Sequence, residues 1–311
     1  MLPRLLCLTV AALVLAPAAL ADGPLPVAQQ GGPGVLSPDG SLRYLALNAG
    51  ADTVLAQVQT KDGQLRSETT LLGSYGIPML TYGTVGDGLS RDGRTLIVGN
   101  AHLTSPSRFL VLDARTLRTR KRIVLEGSFA FDAFSPDASR LYLIQHLNSD
   151  YSHYVVRAYD LLTNRLLPGR IADRTQKSWV MDGYPLTRTA STDGRWVYTL
   201  YQNAGDGYPF VHALDTVRGV AHCIGVPLAD QSGVYNLALS LSGGGRTLAV
   251  HWKSGRPWLE VNTATWRIAY VRPGAFRWRW VGIGLGAVFA LAAASLLLRR
   301  RAPGPVSAPA V

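Results

Sequence analysis

Short alternating apolar runs recur along this chain, each introduced by a polar turn. Ser37-Pro38-Asp39-Gly40 precedes the run from Leu42 to Leu47, and Ser90-Arg91-Asp92-Gly93 precedes Thr95 to Val98. Ser135-Pro136-Asp137-Ala138 stands before Leu141 to Ile144, and Ser191-Thr192-Asp193-Gly194 before Trp196 to Leu200. A degraded copy, Ser240-Leu241-Ser242-Gly243, stands before Thr247 to Val250. Apolar residues alternating with polar ones over four to eight positions, bounded by Asp, Gly and Pro, have the pattern of half-buried strands. The five serines lie 53, 45, 56 and 49 residues apart.

Repetition at about 40–50 residues with several strands per unit predicts the blades of a β-propeller. The strands expected in unit one are 35–36, 42–47, 53–59 and 65–72, and in unit two 83–89, 95–98, 109–112 and 122–125. Unit three gives 129–134, 141–144, 154–159 and 166–171, and unit four 186–190, 196–201, 211–214 and 221–226. Unit five gives 235–239, 248–252, 258–261 and 268–271. The fold class is therefore all-β: a propeller of five four-stranded blades, with six or seven as the alternative count. A radial array hides its strand edges only if the ring closes, so residues 24–34 are expected to pair with the last blade near residues 268–271.

A second echo keeps the same register. The third strand ends in an acid followed by Thr: Asp113 with Thr116, Asp160 with Thr163, Asp215 with Thr216, and Glu260 with Thr263. Asp and Thr at this spacing bond the backbone of tight turns, and Asp39, Asp92, Asp137 and Asp193 have the same explanation rather than a metal-binding one. A strand, a Ser-x-Asp-Gly turn, a second strand and a strand ending in Asp-x-x-Thr together resemble the YVTN and WD40-like propeller repeats of bacterial extracytoplasmic proteins. The resemblance covers about residues 30–272. It implies a propeller outside the cytoplasm and is silent on activity, because propellers carry binding, scaffolding and catalytic roles alike.

Composition adds location. Apolar residues make up 47% of the 311, enough for a core. The formal charge of +11 shrinks when Arg4, Arg279, Arg299, Arg300 and Arg301 are set aside with the membrane segments, leaving 26 basic against 20 acidic residues. That mixed surface lacks a dense basic run, so no nucleic-acid partner is expected. Residues 1–21 read as a secretory signal, with Arg4, the apolar stretch Leu5 to Leu15 and the small-residue site Ala19-Leu20-Ala21; an uncleaved anchor is the alternative. Val281 to Leu298 carries no charge, follows Trp278 and Trp280, and is ended by Arg299, Arg300 and Arg301. Such a run is expected to cross the cytoplasmic membrane with its basic end in the cytoplasm. The organisation expected is signal (1–21), propeller (22–275), transmembrane helix (278–298) and short cytoplasmic tail (299–311). Once the signal is removed only Cys223 remains, which excludes a disulfide framework and reads as a small strand residue.

Antiparallel geometry puts the Ser-x-Asp-Gly and Asp-x-x-Thr turns at one end of the blades and the longer loops at the other. Loops on a rigid scaffold collect binding residues. Those at the loop end carry Tyr75, His102, His146, Tyr151, Trp179, Tyr184, Tyr208, His251 and Trp252. Aromatic faces there suit a sugar ring or a peptide anchor; packing of each Tyr-Pro loop against its own blade is the other reading. His102, His146 and His251 follow second strands and open a catalytic or metal-binding alternative. No phosphate loop, nucleophile elbow, His-Glu-x-x-His or Cys pair is present, so no catalytic residue, metal or cofactor is assigned. The expected function is a membrane-anchored extracytoplasmic module binding a peptide, glycan or partner protein through its loop-rich face. A propeller hydrolase or lyase using loop histidines, and a structural subunit of a membrane complex, remain the alternatives.

Overall fold

The computed structural model describes residues 27–81, 86–175, 180–204, 207–228 and 231–271. Residues 1–21, expected to be a secretory signal, the span from Val281 to Leu298, residues 299–311 and Trp179 lie outside the described residues. Among the described residues no helix is long and apolar enough to cross a membrane.

The described chain opens with a three-residue strand, β1 (Val27–Gln29). Blade one follows as β2 (Val35–Leu36), β3 (Leu42–Ala49), β4 (Asp52–Gln59) and β5 (Leu65–Leu71). Blade two is β6 (Tyr75–Met79), β7 (Thr95–Asn100), β8 (Ser107–Asp113) and β9 (Thr119–Leu125). Blade three is β10 (Ser128–Phe134), β11 (Arg140–His146), β12 (His153–Asp160) and β13 (Arg165–Leu166), with β14 (Met181–Asp182) also paired to β12. Blade four is β15 (Tyr184–Ala190), β16 (Trp196–Gln202), β17 (Phe210–Asp215) and β18 (Val220–Gly225). Blade five is β19 (Leu237–Ser242), β20 (Thr247–Trp252), β21 (Pro257–Asn262) and β22 (Ile268–Tyr270). Every pairing is between antiparallel neighbours, so the described chain is an all-β propeller of five sheets, each of four or five strands.

The two-residue strand period explains how the sheets pack. In β7, Leu96 and Val98 face Tyr44, Leu55 and Leu71 of blade one, while Ile97 between them faces Phe129, Leu141 and Leu143 of blade three. Tyr142, Ile144, Tyr154 and Val156 then meet Val197, Tyr201 and Leu214 of blade four. Tyr198, Leu200 and Val211 meet Leu237, Leu248 and Val250 of blade five. A central strand is covered on both faces in this arrangement, which is why Leu141, Tyr142, Leu143 and Ile144 are all buried. Each buried aliphatic side chain contributes about 1.5–3 kcal/mol relative to exposure. Among the described residues no such cluster joins blade five to blade one.

One chemistry builds the four intact turns. In blade one Ser37 Oγ donates to Asp39 Oδ1 at 2.5 Å and accepts from Leu42 N–H at 2.9 Å, while Asp39 Oδ1 accepts from Ser41 N–H at 3.1 Å. The same three bonds recur around Ser90 and Asp92, Ser135 and Asp137, and Ser191 and Asp193. The residue after the acid turns left-handed, with φ of +70° at Gly40, +69° at Gly93, +54° at Ala138 and +73° at Gly194. The far ends of the third strands cap themselves through Asp113, Asp160 and Asp215, each accepting from backbone N–H groups two or three residues on. Blade five departs from expectation: Asn262, not Glu260, caps the turn, accepting from Ala264 and Thr265. Its degraded turn also moves, because without an Asp in Ser240-Leu241-Ser242 the strand runs on to Ser242. Gly243, Gly244 and Gly245, all left-handed, make the bend.

The amino-terminal pairing is the main correction. Residues 27–34, the described part of the segment 24–34, do not pair with the last blade; β1 pairs with β6, matching Val27 to Met79 and Gln29 to Ile77. The stretch between the expected strands 65–72 and 83–89 contains β6, whose five residues are all buried. The expected strand 83–89 is reduced, among its described residues, to one bridge between Leu89 and Leu96. The physical reason is division of labour along β7. β6 pairs with its loop-end half at Asn100 and Gly99, then leaves it, and residues near Gly88 take over the turn-end half. A Cβ at Gly76 would lie 2.5 Å from the Ala28 carbonyl carbon and the Gln29 nitrogen, so only Gly lets β1 approach. In blade three the strand expected over 166–171 shortens to β13 plus a bridge from Ile171 to Val156.

Candidate binding site on the axis

A cavity of about 470 Å³ lies where the inner strands of blades one to four converge at the turn end. Its walls are Leu36, Leu89, Phe131 and Phe134, and the turn residues Pro38, Arg91, Pro136 and Thr192 rim it. Arg91 of blade two reaches across to blade four, where its Nε–H donates to the Thr192 carbonyl at 2.8 Å.

Besides Arg91 at the rim, three charged side chains line this apolar space. Arg188 on β15 donates through Nη1 to Asp87 Oδ2 at 3.2 Å and to the Asp132 carbonyl at 3.0 Å. Its Nη2 stands 3.5 Å from Asp132 Oδ1. The second carboxylate oxygen of Asp132, Oδ2, is buried without a hydrogen-bond partner. Burial pushes the Asp132 carboxyl up to about 6 despite the neighbouring Arg188. Desolvation works to lower Arg188, but Asp87 and Asp132 outweigh it and hold the guanidinium above its ordinary value. Asp132 reaches this place through a bulge in β10: the register with β11 shifts between Phe131 and Ala133.

Behind the charged trio, blades three and four share a buried polar layer. Tyr154 and Tyr201 stack with ring centroids 5.0 Å apart, and neither hydroxyl finds an aligned hydrogen-bond partner. His212, edge-on to Tyr201, has Nδ1 3.7 Å from Cys223 Sγ. Asp173 accepts from the Cys223 N–H at 2.8 Å and pairs with His222 Nδ1 at 3.0 Å. Burial lowers His212 to about 4 and pushes the Cys223 thiol up to about 12. Both groups are then neutral at pH 7, so this Cys–His contact is not an activated nucleophile.

The sequence-derived candidates fall into several groups. His146, Tyr151 and Tyr184 come together at the loop end. His146 Nδ1 is 3.1 Å from the Tyr151 carbonyl, the two rings meet edge-on, and the Tyr184 hydroxyl donates to the Asp150 carbonyl at 3.2 Å. Burial lowers His146 to about 4. Tyr75 is a core residue of blades one and two, 6% exposed. His102 is exposed, and Tyr208 is 59% exposed. In blade five His251 Nδ1 is 3.1 Å from the Trp252 carbonyl, while Trp252 packs near Trp258 and under the Arg256 guanidinium. His146 and His251 thus bond locally, each within its own blade.

Asp87, Asp132 and Arg188 were not among the sequence candidates. A signal did exist: Asp132 interrupts the apolar run Phe129 to Phe134, and Arg188 sits on an inner strand beside a bulge between Pro185 and Thr187. A charge in an otherwise apolar central strand requires a partner.

No family model matches the chain, and no curated protein matches it. Among solved structures it is similar to the hydrazine synthase of Kuenenia stuttgartiensis, 15% identical over 84% of this chain and 69% of that one, with a TM-score of 0.48. It is similar to TolB from Acinetobacter baumannii at 14% identity and a TM-score of 0.44, over 79% of this chain and 56% of that protein. It is also similar to the β-propeller domain of Cps50 (Swd1) from Myceliophteria thermophila, 9% identical over 79% of this chain and 73% of that one, with a TM-score of 0.48. At these identities and scores we take no activity from the likeness.

Proposed function

We propose that this chain is a non-catalytic binding module whose ligand enters the axial cavity from the turn end. The observation that carries the reading is a preformed apolar space of about 470 Å³ holding an Arg–carboxylate cluster at its wall. A few convergent polar groups in an apolar concavity are what recognition sites require. Following the membrane signals of the sequence and its likeness to YVTN repeats, the propeller hangs outside the cytoplasmic membrane, tethered by Val281 to Leu298. The partner is then an extracytoplasmic molecule or protein.

The test is a cross-linked pull-down with tagged full-length protein in its native membrane, compared with Thr189→Trp, which fills the cavity. Loss of the partner in the filled variant supports the axial site, and unchanged capture overturns it. A second contact surface at the loop end is favoured by Tyr208, which is 59% exposed, and by the Tyr151 and Tyr184 group. Tyr184→Ala with Tyr208→Ala reports on that surface separately. Protease added outside intact cells cleaves the propeller if the proposed orientation holds.

A further inference from the structure

We propose that the axial cavity receives a ligand headed by a positively charged nitrogen, an alkylammonium or alkylguanidinium, whose head group bonds Asp87 and whose alkyl chain lies along Leu36, Leu89 and Phe134. This rests on the axial cavity being the binding site.

The first support is charge balance. The inner cluster holds two carboxylates and one guanidinium, a net charge of −1 when all are ionised; the other charged residue lining the cavity, Arg91, is engaged at the mouth with the Thr192 carbonyl. The second is an unmet acceptor: Asp132, 2% exposed, lines the cavity and keeps Oδ2 without a donor. A buried acceptor left unpaired costs about 1–3 kcal/mol, and the field of that carboxylate favours a cation brought beside it. Third, the side chain of Asp87 is 28% exposed against 14% for Arg188, so the carboxylate is the reachable charge. An anion has less to gain. Both Nη1 and Nη2 of Arg188 already face oxygens of Asp87 and Asp132. Arg91, four residues along from Asp87, is tied to Thr192 at the mouth.

The experiment is titration calorimetry on the full-length protein in detergent micelles at pH 7.5, with n-butylguanidinium, n-butylammonium, butyrate and n-butanol as probes. The two cations are expected to bind in the millimolar range, with no detectable heat from butyrate. Asp87→Asn should weaken the cations at least tenfold while circular dichroism shows the native sheet. Butanol binding as tightly as butylammonium, and lost in Thr189→Trp, overturns the cationic head group but leaves the cavity reading standing. No binding by either cation in the wild-type protein overturns the proposal without recourse to any variant, as does undiminished cation binding by Asp87→Asn. A capped glycine-rich peptide carrying one lysine distinguishes the source. Binding tenfold tighter than butylammonium assigns the head group to a partner protein's side chain, and equal or weaker binding assigns it to a free amine; both support the class.

Discussion

Arg188 of blade four and Asp87 of blade two stand 101 residues apart and meet at 3.2 Å across the propeller axis. Blade three lies between them in the chain, and its Asp132 holds the other side of the same guanidinium. One arginine therefore ties the inner edges of three blades, two strands and the segment before Gly88, that share no backbone pairing. Removing it leaves Asp132 buried with no counter-charge. Breaking a buried pair from one side costs about 3–5 kcal/mol, mostly as the uncompensated charge. Arg188→Ala should lose that much in denaturant unfolding, and adding Asp132→Asn should recover part of it. A double variant as unstable as the sum of the two single changes would show that the residues do not act through each other.

One of the four intact turns lacks the glycine after its Asp. Gly40, Gly93 and Gly194 hold their left-handed φ freely, whereas Ala138 adopts +54° at the equivalent place. A left-handed conformation costs an L-residue with a Cβ about 1–2 kcal/mol. The Ser135–Asp137 bonds are the same as in the other copies, so they compel Ala138 into it. Ala138→Gly should raise stability by about 1 kcal/mol, the gain being offset in part by the freer unfolded chain. Thermal melting with both proteins in the same buffer is the check, and a lower midpoint for the glycine variant would refute the strain.

These turns also show what the amino-acid sequence discloses and where it stops. A Ser whose hydroxyl serves both an Asp and the next strand's N–H is a local device, so four intact copies and one degraded copy revealed five blades and most strand positions. Blade two's inner edge was hidden for the opposite reason. Three residues, Val27–Gln29, carry too little alternation to read, and Gly76 and Pro78 make β6 look like a loop. The axial charges were hidden too, because the bulge at Asp132 breaks the two-residue period that marks inside from outside. The aromatic loop residues were legible as residues but not as a site. Tyr75 proved to be core and Tyr208 rim, a distinction set by chain segments far away in sequence.

The β1–β6 pair depends on Gly76. Any side chain there drives a Cβ to 2.5 Å from the backbone of Ala28 and Gln29, and backbone cannot swing aside as a flexible side chain can. Gly76→Ala should detach β1 and cost about 1–3 kcal/mol. Hydrogen exchange localises the effect: the amides of Val27, Gln29, Ile77 and Met79 lose protection while those of β16 keep theirs. Gly225 is the control, since a Cβ there meets nothing within 4 Å. Gly225→Ala should stay within about 0.5 kcal/mol of the parent. Equal effects at the two sites would contradict the close approach.

Two buried histidines make the propeller sensitive to acid. Burial lowers His146 and His212 to about 4, against about 6.5 in an unfolded chain. Between those values the unfolded state binds protons that the folded state refuses, so stability is full above pH 6.5 and drains away as pH falls toward 4. Asp132 acts in the other direction. Its carboxyl is pushed up to about 6 when folded, so over pH 6 to 4 the folded state takes up a proton that the unfolded state does not, and stability rises as pH falls. Two histidines outweigh one aspartate, and the net loss between pH 7 and pH 4.5 is about 3 kcal/mol. Denaturant unfolding of the full-length protein at both pH values measures it. His212→Phe keeps an aromatic ring against Tyr201 and removes one titrating group, so the dependence on pH should shrink by more than half. A variant as acid-sensitive as the parent would mean that His212 titrates normally in the folded propeller, and that the blade-three to blade-four layer is open to water.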